Sequence, residues 1–303
     1  MGCSNEHDQD RDRDAAVLVD AAVDSPDGGR SGSSAGCGTS PTFAISSCGA
    51  PNGSGSSDCT IAVDGAMRVF HISVPSGYDV NTPLPLVFGW HQLGSNGATF
   101  GSAIGHSVEQ LVRGIFVYAD GLPNASLGGA PGWHLEDGGV DFRLLDTIYG
   151  EVTNAYCINL GTVWSFGHSS GGFMSNAVGC HRSNIVSAAV EFSGGPEYHP
   201  TDPPLGACLG GLPVLLSHGE TDPTVPFAYG TALRDLWKTI NGCSDSSTPS
   251  GIVCGDGSGV AAGCSCVAFD GCADRTVWCD YPNLGHDMPP NRTAMIATFF
   301  LSQ

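Results

Sequence analysis

One stretch, VWSFGHSSGGFMSN at residues 163–176, restricts the folds open to this chain more than any other. It passes from an apolar, strand-like run through a Gly-Ser cluster into a helical pattern, so the chain turns sharply from a strand into a helix. Its GHSSG core matches G-x-S-x-G, in which a serine stands on a strained elbow at the carboxyl end of a sheet strand. With Gly at 44 of 303 positions, chance alone supplies about 0.7 such matches per chain. A second match, Gly32-Ser33-Ser34-Ala35-Gly36, indeed occurs in a Ser/Gly-rich segment with no apolar run before it and no amphipathic run after it. Context separates the two. Thr162 to Phe166 supplies a β-branched and aromatic strand, Gly167, Gly171 and Gly172 permit close packing, and Phe173, Met174, Ala177 and Val178 recur at helical spacing. Ser169 is therefore the candidate nucleophile and Ser34 is not.

The rest of the chain alternates short β-rich runs with helical patterns, the signature of an α/β sheet. Strands are expected at Met67 to Val74, Leu84 to Trp90, Ile115 to Ala119, Ser187 to Phe192, Leu212 to Ser217 and Arg275 to Tyr281. Helices are expected at Val140 to Val152 and, closing the domain, Arg292 to Leu301. Between Asn241 and Asp274 the pattern dissolves into Gly, Ser and Cys, which reads as a disulfide-stapled insertion inside one domain of residues 37–303. No internal repeat is evident.

Thirteen cysteines point to an oxidising compartment. Cys3 stands alone near the amino terminus, and the twelve from Cys37 to Cys279 can form six bridges of unspecified connectivity. No C-x2-C pair and no finger-like His spacing occurs, so neither a metal nor another cofactor is expected. The net charge of -19, with one Lys (Lys238) beside ten Arg, argues against nucleic acid or an anionic membrane as partner. No apolar run approaches the roughly 18 residues of a membrane span. The opening Met-Gly-Cys-Ser-Asn resembles the cleavage end of a bacterial lipoprotein signal, which makes Cys3 a candidate lipid anchor, although the apolar segment of such a signal is missing. Myristoylation fits worse, because Glu6 stands where Ser or Thr is wanted. Residues 1–36, acidic and rich in Ala, Asp, Gly and Ser, are expected to form a disordered tail or spacer.

A serine near neutral pH needs a base and an orienting acid. With this elbow they follow the serine in the order acid, then histidine, each in a loop after a later strand. The run Pro213 to Leu216 leads into SHGETDP, where Asp222 occupies the acid position, with Glu220 as competitor and Asp202 a distant third. Pro223 and Pro226 stiffen the loop. His286, in NLGHD between the last strand and the closing helix, is the candidate base. Of the ten histidines, His71, His106, His134, His181, His199 and His218 read as structural or surface residues. Acyl transfer also needs two donors for an oxyanion: the backbone N–H of Ser170, and one from the loop after Leu84 to Trp90, either Gln92 or Leu93.

In order, the segments FGWHQLGSN, GWHLEDGGVDF, FGHSSGGFMS, SHGETDPTVPF and NLGHDMPP resemble the motifs of secreted α/β-hydrolase esterases, the feruloyl esterase, acetyl xylan esterase and poly(3-hydroxybutyrate) depolymerase group related to carbohydrate esterase family one. The resemblance runs from about Cys59 to the carboxyl terminus. It implies a mostly parallel central sheet flanked by helices and a triad of Ser169, Asp222 and His286. Trp133 in its GW motif would line the pocket, with His91 and Phe227 as further candidates for substrate contact. Relatives often carry His-Gly where this chain has His91-Gln92. A secreted or outer-surface monomer acting on small-molecule or polysaccharide-linked esters is expected, with no nucleic acid partner. Within that class, hydroxycinnamoyl or acetyl esters of plant cell wall are favoured over polyester, because the chain stops at Gln303 without a further binding module. A binding protein on a dead hydrolase scaffold would be expected to have lost a triad member, and none is lost.

Overall fold

A computed structural model of the chain describes residues 31–48, 55–198 and 207–303. Its centre is one sheet of eleven strands: β1 (Ser46–Cys48), β2 (Gly55–Val63), β3 (Ala66–Val74), β4 (Leu84–Trp90), β5 (Ile115–Ala119), β6 (Ile158–His168), β7 (Ala188–Phe192), β8 (Val214–Gly219), β9 (Ser247–Pro249), β10 (Ser265–Phe269) and β11 (Thr276–Tyr281). They lie in the order β1-β2-β3-β5-β4-β6-β7-β8-β11-β10-β9. The six strands from β5 to β11 in that order are parallel, and both edges are antiparallel. The central strands IFVYA, AAVEF and VLLSHG are buried at every residue, as expected of parallel strands covered on both faces.

Four longer helices cover the sheet: α1 (Val140–Ala155), α2 (Ser170–His181), α3 (Phe227–Ile240) and α4 (Arg292–Phe300). Phe142, Leu145 and Ile148 of α1 and Met174 and Val178 of α2 pack with Leu86 and Phe88 of β4. Val87, between those two, turns to the other face with Phe166 and with Ile296 and Phe300 of α4, following the period-two alternation of a strand. Leu233 and Trp237 carry α3 onto Val214 and Leu216 of β8, and Trp237 Nε1 donates to Asn176 Oδ1 of α2 at 2.7 Å. At the carboxyl end of the parallel region Trp90 pairs with Gly167, His168 with Phe192, Phe192 with Ser217 and Gly219 with Tyr281. Loops leaving β4, β6, β7, β8 and β11 therefore emerge together, where open α/β sheets place their sites.

Several expectations shift. α1 runs on to Ala155, β6 spans Ile158–His168, and α3 was not anticipated. The hairpin of β2 and β3 turns at Asp64-Gly65, both at positive φ (53° and 77°), which is the turn chemistry a two-residue hairpin favours. The Cys-rich stretch is not patternless: β9 and β10 extend the sheet, while Ile252 and Ala261 are buried in the core. The tail boundary at residue 36 is corrected, because residues 31–36 dock on the domain. Ser33 bridges Asn159, and buried Ser34 donates from Oγ to Tyr156 O (2.6 Å) and accepts from Ile158 N (2.9 Å). Cys3, residues 1–30, His199 and Asp202 lie outside the described residues. The twelve other cysteines form six bridges: Cys37–Cys157, Cys48–Cys59, Cys180–Cys208, Cys243–Cys272, Cys254–Cys264 and Cys266–Cys279.

Candidate active site

Ser169 stands between the end of β6 and the start of α2 with φ 57° and ψ -124°. A non-glycine residue held at positive φ stores strain, and it persists here because its surroundings leave no alternative. Its N–H donates to Phe192 O at 2.9 Å. A Cβ on Gly167 would lie 2.0 Å from Gly171 O, and one on Gly171 would lie 1.9 Å from Trp90 O. Backbone crowding thus requires both glycines of the elbow.

Asp222 and His286 meet Ser169 from two other loops. His286 Nδ1 lies 2.7 Å from Asp222 Oδ2, and His286 Nε2 lies 2.7 Å from Ser169 Oγ. A carboxylate only accepts, so Nδ1 carries the proton and Nε2 is left to accept from the serine hydroxyl. Asp222 Oδ1 is occupied by the N–H groups of Thr224 (2.8 Å) and Val225 (2.9 Å), which fixes Oδ2 toward the histidine. Glu220, the competing acid, is exposed and stands outside this arrangement. Two more histidines flank it. His168 lies with its ring 5.2 Å from that of His286, and burial pushes it down to about 3. His218 donates from Nε2 to Val225 O (2.9 Å) and stands 3.5 Å from Asp222 Oδ2, with its pKa also lowered by burial. Both remain neutral near pH 7 and bring no rival positive charge to Asp222.

Ser170 N, as the first amide of α2, has no acceptor within its own helix. Across from it, the loop after β4 is fixed by Gly94 N donating to Pro131 O (2.8 Å) and Ser95 N to Gln92 O (3.1 Å). His91 and Trp133, expected to touch substrate, are corrected to supports of this loop. His91 is fully buried, accepts at Nε2 from Gly121 N (2.9 Å) and donates from Nδ1 to Gln92 O (2.8 Å). Burial lowers its pKa, in keeping with a neutral ring that accepts at Nε2. Trp133 is fully buried, and its Nε1 donates to His91 O at 2.9 Å. Phe227 is corrected too: its ring packs 6.0 Å from that of His218 and 5.8 Å from that of Trp278, and it is not among the residues lining the cavity beside Ser169.

A cavity of about 250 Å³ opens beside Ser169 and Ser170, lined by Leu93, Leu127, Phe173, Tyr198, Pro226 and Tyr229 among others. A larger open hollow of about 680 Å³, beside Glu109 and Arg113, shares none of its lining residues. Leu93, one of the two candidates for the second oxyanion donor, lines the cavity. The aromatic walls Phe173, Tyr198 and Tyr229, like Leu127 and Thr224 to Pro226, were not marked as site residues by the sequence. Phe173 follows the elbow by one turn of helix, which was a usable signal; Tyr198 sits in an irregular loop after β7 with no local pattern. Its hydroxyl donates to Trp133 O (3.1 Å) and pairs with Ser170 Oγ at 2.9 Å, while its ring lies 4.8 Å from Phe173.

No protein-family profile matches the chain. Over 240 residues it is 30% identical to feruloyl esterase D of Neurospora crassa, covering 71% of this chain and 70% of that enzyme. A probable feruloyl esterase C of Aspergillus terreus is 31% identical over 234 residues, covering 74% and 77%. Among solved structures, acetyl xylan esterase from Aspergillus awamori superposes with a TM-score of 0.56 at 14% identity, over 77% of this chain and 94% of that one. A CE1 ferulic acid esterase from Anaeromyces mucronatus gives 0.55 at 15%, over 86% and 91%. Those two structures share the fold, and the sequence relatives supply the family. The chain belongs to the feruloyl esterases, carboxylic-ester hydrolases on an α/β-hydrolase fold.

Proposed function

We propose that this is a secreted serine esterase that cleaves hydroxycinnamoyl or acetyl esters of plant cell-wall polysaccharide through an acyl-enzyme at Ser169. The observation that carries the reading is the unbroken chain of two 2.7 Å hydrogen bonds, Asp222 to His286 to Ser169, at the mouth of a cavity walled by aromatic rings. As Ser169 Oγ attacks the ester carbonyl, His286 Nε2 takes its proton, and Asp222 stabilises the imidazolium. The carbonyl oxygen becomes an oxyanion facing Ser170 N–H and an N–H of Gln92 or Leu93, and one such donor is worth roughly 10²–10³ in kcat. Collapse breaks the C–O bond to the alcohol, which leaves with the proton from His286. Water, deprotonated by the same nitrogen, then releases the acid and restores the serine.

The rings of Phe173, Tyr198 and Tyr229 offer apolar faces to a planar acyl group. Six disulfides support secretion, since such bonds persist in oxidising compartments. Side-by-side assay of methyl ferulate, acetylated xylan and a hydroxybutyrate oligomer tests the reading. Turnover of the first two with little of the third is expected. Turnover of the oligomer alone would replace it with polyester hydrolysis.

A further inference from the structure

Strand β7 carries one carboxyl, Glu191, in a run that is otherwise apolar and wholly buried. Glu191 is 1% exposed, and charged side chains are almost never buried to that degree without a counter-charge. Its side chain folds back along its own chain so that Oε1 accepts from Gly194 N, while Oε2 has no hydrogen-bond partner among the described residues. It also presses on the elbow: a Cβ on Gly172 would lie 3.2 Å from Oε1 and one on Gly194 2.6 Å from it.

The turn that Glu191 closes, Phe192-Ser193-Gly194, joins the three loops of the site. Phe192 O accepts from Ser169 N at 2.9 Å, and Ser193 N donates to Ser217 O of β8 at 2.9 Å. Ser193 Oγ donates to Asp287 O, next to His286, at 3.4 Å. Ser193 itself is held at φ 53°, a conformation that a closing hydrogen bond must help to sustain.

We propose that Glu191, as an un-ionised carboxylic acid, is a positioning residue that holds this turn beneath Ser169 and His286, and that its ionisation disturbs their alignment. The proposal rests on the assignment of Ser169 as nucleophile. Burial pushes the carboxyl up to about 8 against the opposing Gly194 amide, and the charge of Asp222 raises it further. Among the described residues, the neighbouring elements bring no compensating cation. α2 faces it with Gly172, and the nearby histidines of β6 and β8, His168 and His218, are held neutral by burial. An ionised Glu191 would therefore sit unpaired near Asp222, and drawing it toward water moves the turn on which Ser169 N hangs.

The test is the pH profile of methyl ferulate hydrolysis by wild type, Glu191→Gln and Glu191→Ala. Glu191→Ala removes the acceptor of Gly194 N and is expected to lower kcat at every pH. Glu191→Gln keeps that acceptor without a titrating proton and is expected to restore kcat. Wild-type kcat should fall tenfold per unit above about pH 8 with KM little changed, whereas the Gln variant holds its plateau at least one unit further. Superimposable alkaline limbs would overturn the proposal. Should the Gln variant fail to fold, an infrared titration of wild type decides: the C=O stretch of a buried carboxylic acid must be present at pH 6 and titrate away with a midpoint near pH 8, and its absence at pH 6 would overturn the proposal equally. Failure of an organophosphonate to label Ser169 in wild type would instead remove the underlying assignment, whatever the Gln variant does.

Discussion

Replacing Asp222 by Asn is a nearly isosteric change whose effect follows from the partners of the two carboxylate oxygens. Oδ1 accepts from two amides, Thr224 N and Val225 N, so the Asn carbonyl is required on that side, and the NH2 group must face His286 Nδ1. The opposite rotamer would aim an NH2 at two N–H donors in a fully buried site, which costs several kcal/mol. With a donor facing it, Nδ1 gives up its proton and Nε2 carries one toward Ser169 Oγ, where it no longer accepts. Loss of the base tautomer and of the imidazolium's counter-charge together is worth about 10⁴ in kcat, or about 5.5 kcal/mol in the barrier. The assay is p-nitrophenyl acetate turnover alongside thermal unfolding, with exposed Glu220→Gln as the control. A Tm close to wild type with kcat down about 10⁴-fold is expected, and a near-normal rate for the control. A loss smaller than about tenfold in Asp222→Asn, with Glu220→Gln severely impaired, would refute the reasoning and move the acid to Glu220.

Two further perturbations separate structural from chemical roles. Ser34→Ala removes the acceptor of the Ile158 amide and a donor to the Tyr156 carbonyl, so it should cost about 1–3 kcal/mol of stability in a denaturant melt while leaving ester turnover unchanged; lost turnover in a folded protein would reopen the second G-x-S-x-G match. Mild reduction of the Cys-rich insertion should lower turnover before the core melts, because the segment it staples grips the base loop: Asn283 Nδ2 donates to Ala262 O (2.9 Å), Tyr281 Oη to Cys254 O (3.2 Å), and Asn291 Nδ2 to Val253 O. Each bridge contributes about 2–4 kcal/mol, and full activity in protein whose insertion cysteines are reduced by mass spectrometry would leave the staples a protective role only.

How much of this was written locally in the chain varies by element. The elbow was legible because its strand, glycines and helical face are contiguous, and Asp222 and His286 because each follows an apolar strand in the expected order. Helix α3 had a usable signal, Tyr229, Leu233 and Trp237 at four-residue spacing, which the proline-rich loop before it obscured. His91, Trp133 and Phe227 stood in the right motifs, but a motif fixes neighbourhood and not direction: inward hydrogen bonds turned the first two into supports, and Trp278 drew the third away from the cavity. Tyr198 gains its surroundings from chain segments far apart in sequence, so no local pattern could have marked it, whereas Glu191 stood in plain view as the lone carboxyl of an apolar strand run. The burial of Ser34 against Tyr156 could not be read locally, because it needs a contact 122 residues away.

The most direct measurement is covalent labelling. Wild type treated with a p-nitrophenyl phosphonate at neutral pH, digested and read by mass spectrometry, is expected to carry one phosphonyl group on the peptide containing Ser169, with ester turnover lost in proportion. Ser169→Ala is expected to take up no label and to hydrolyse methyl ferulate no faster than the residual rate left to a triad-less site. Label on any other residue of the wild type, or undiminished labelling and turnover in Ser169→Ala, would contradict the account.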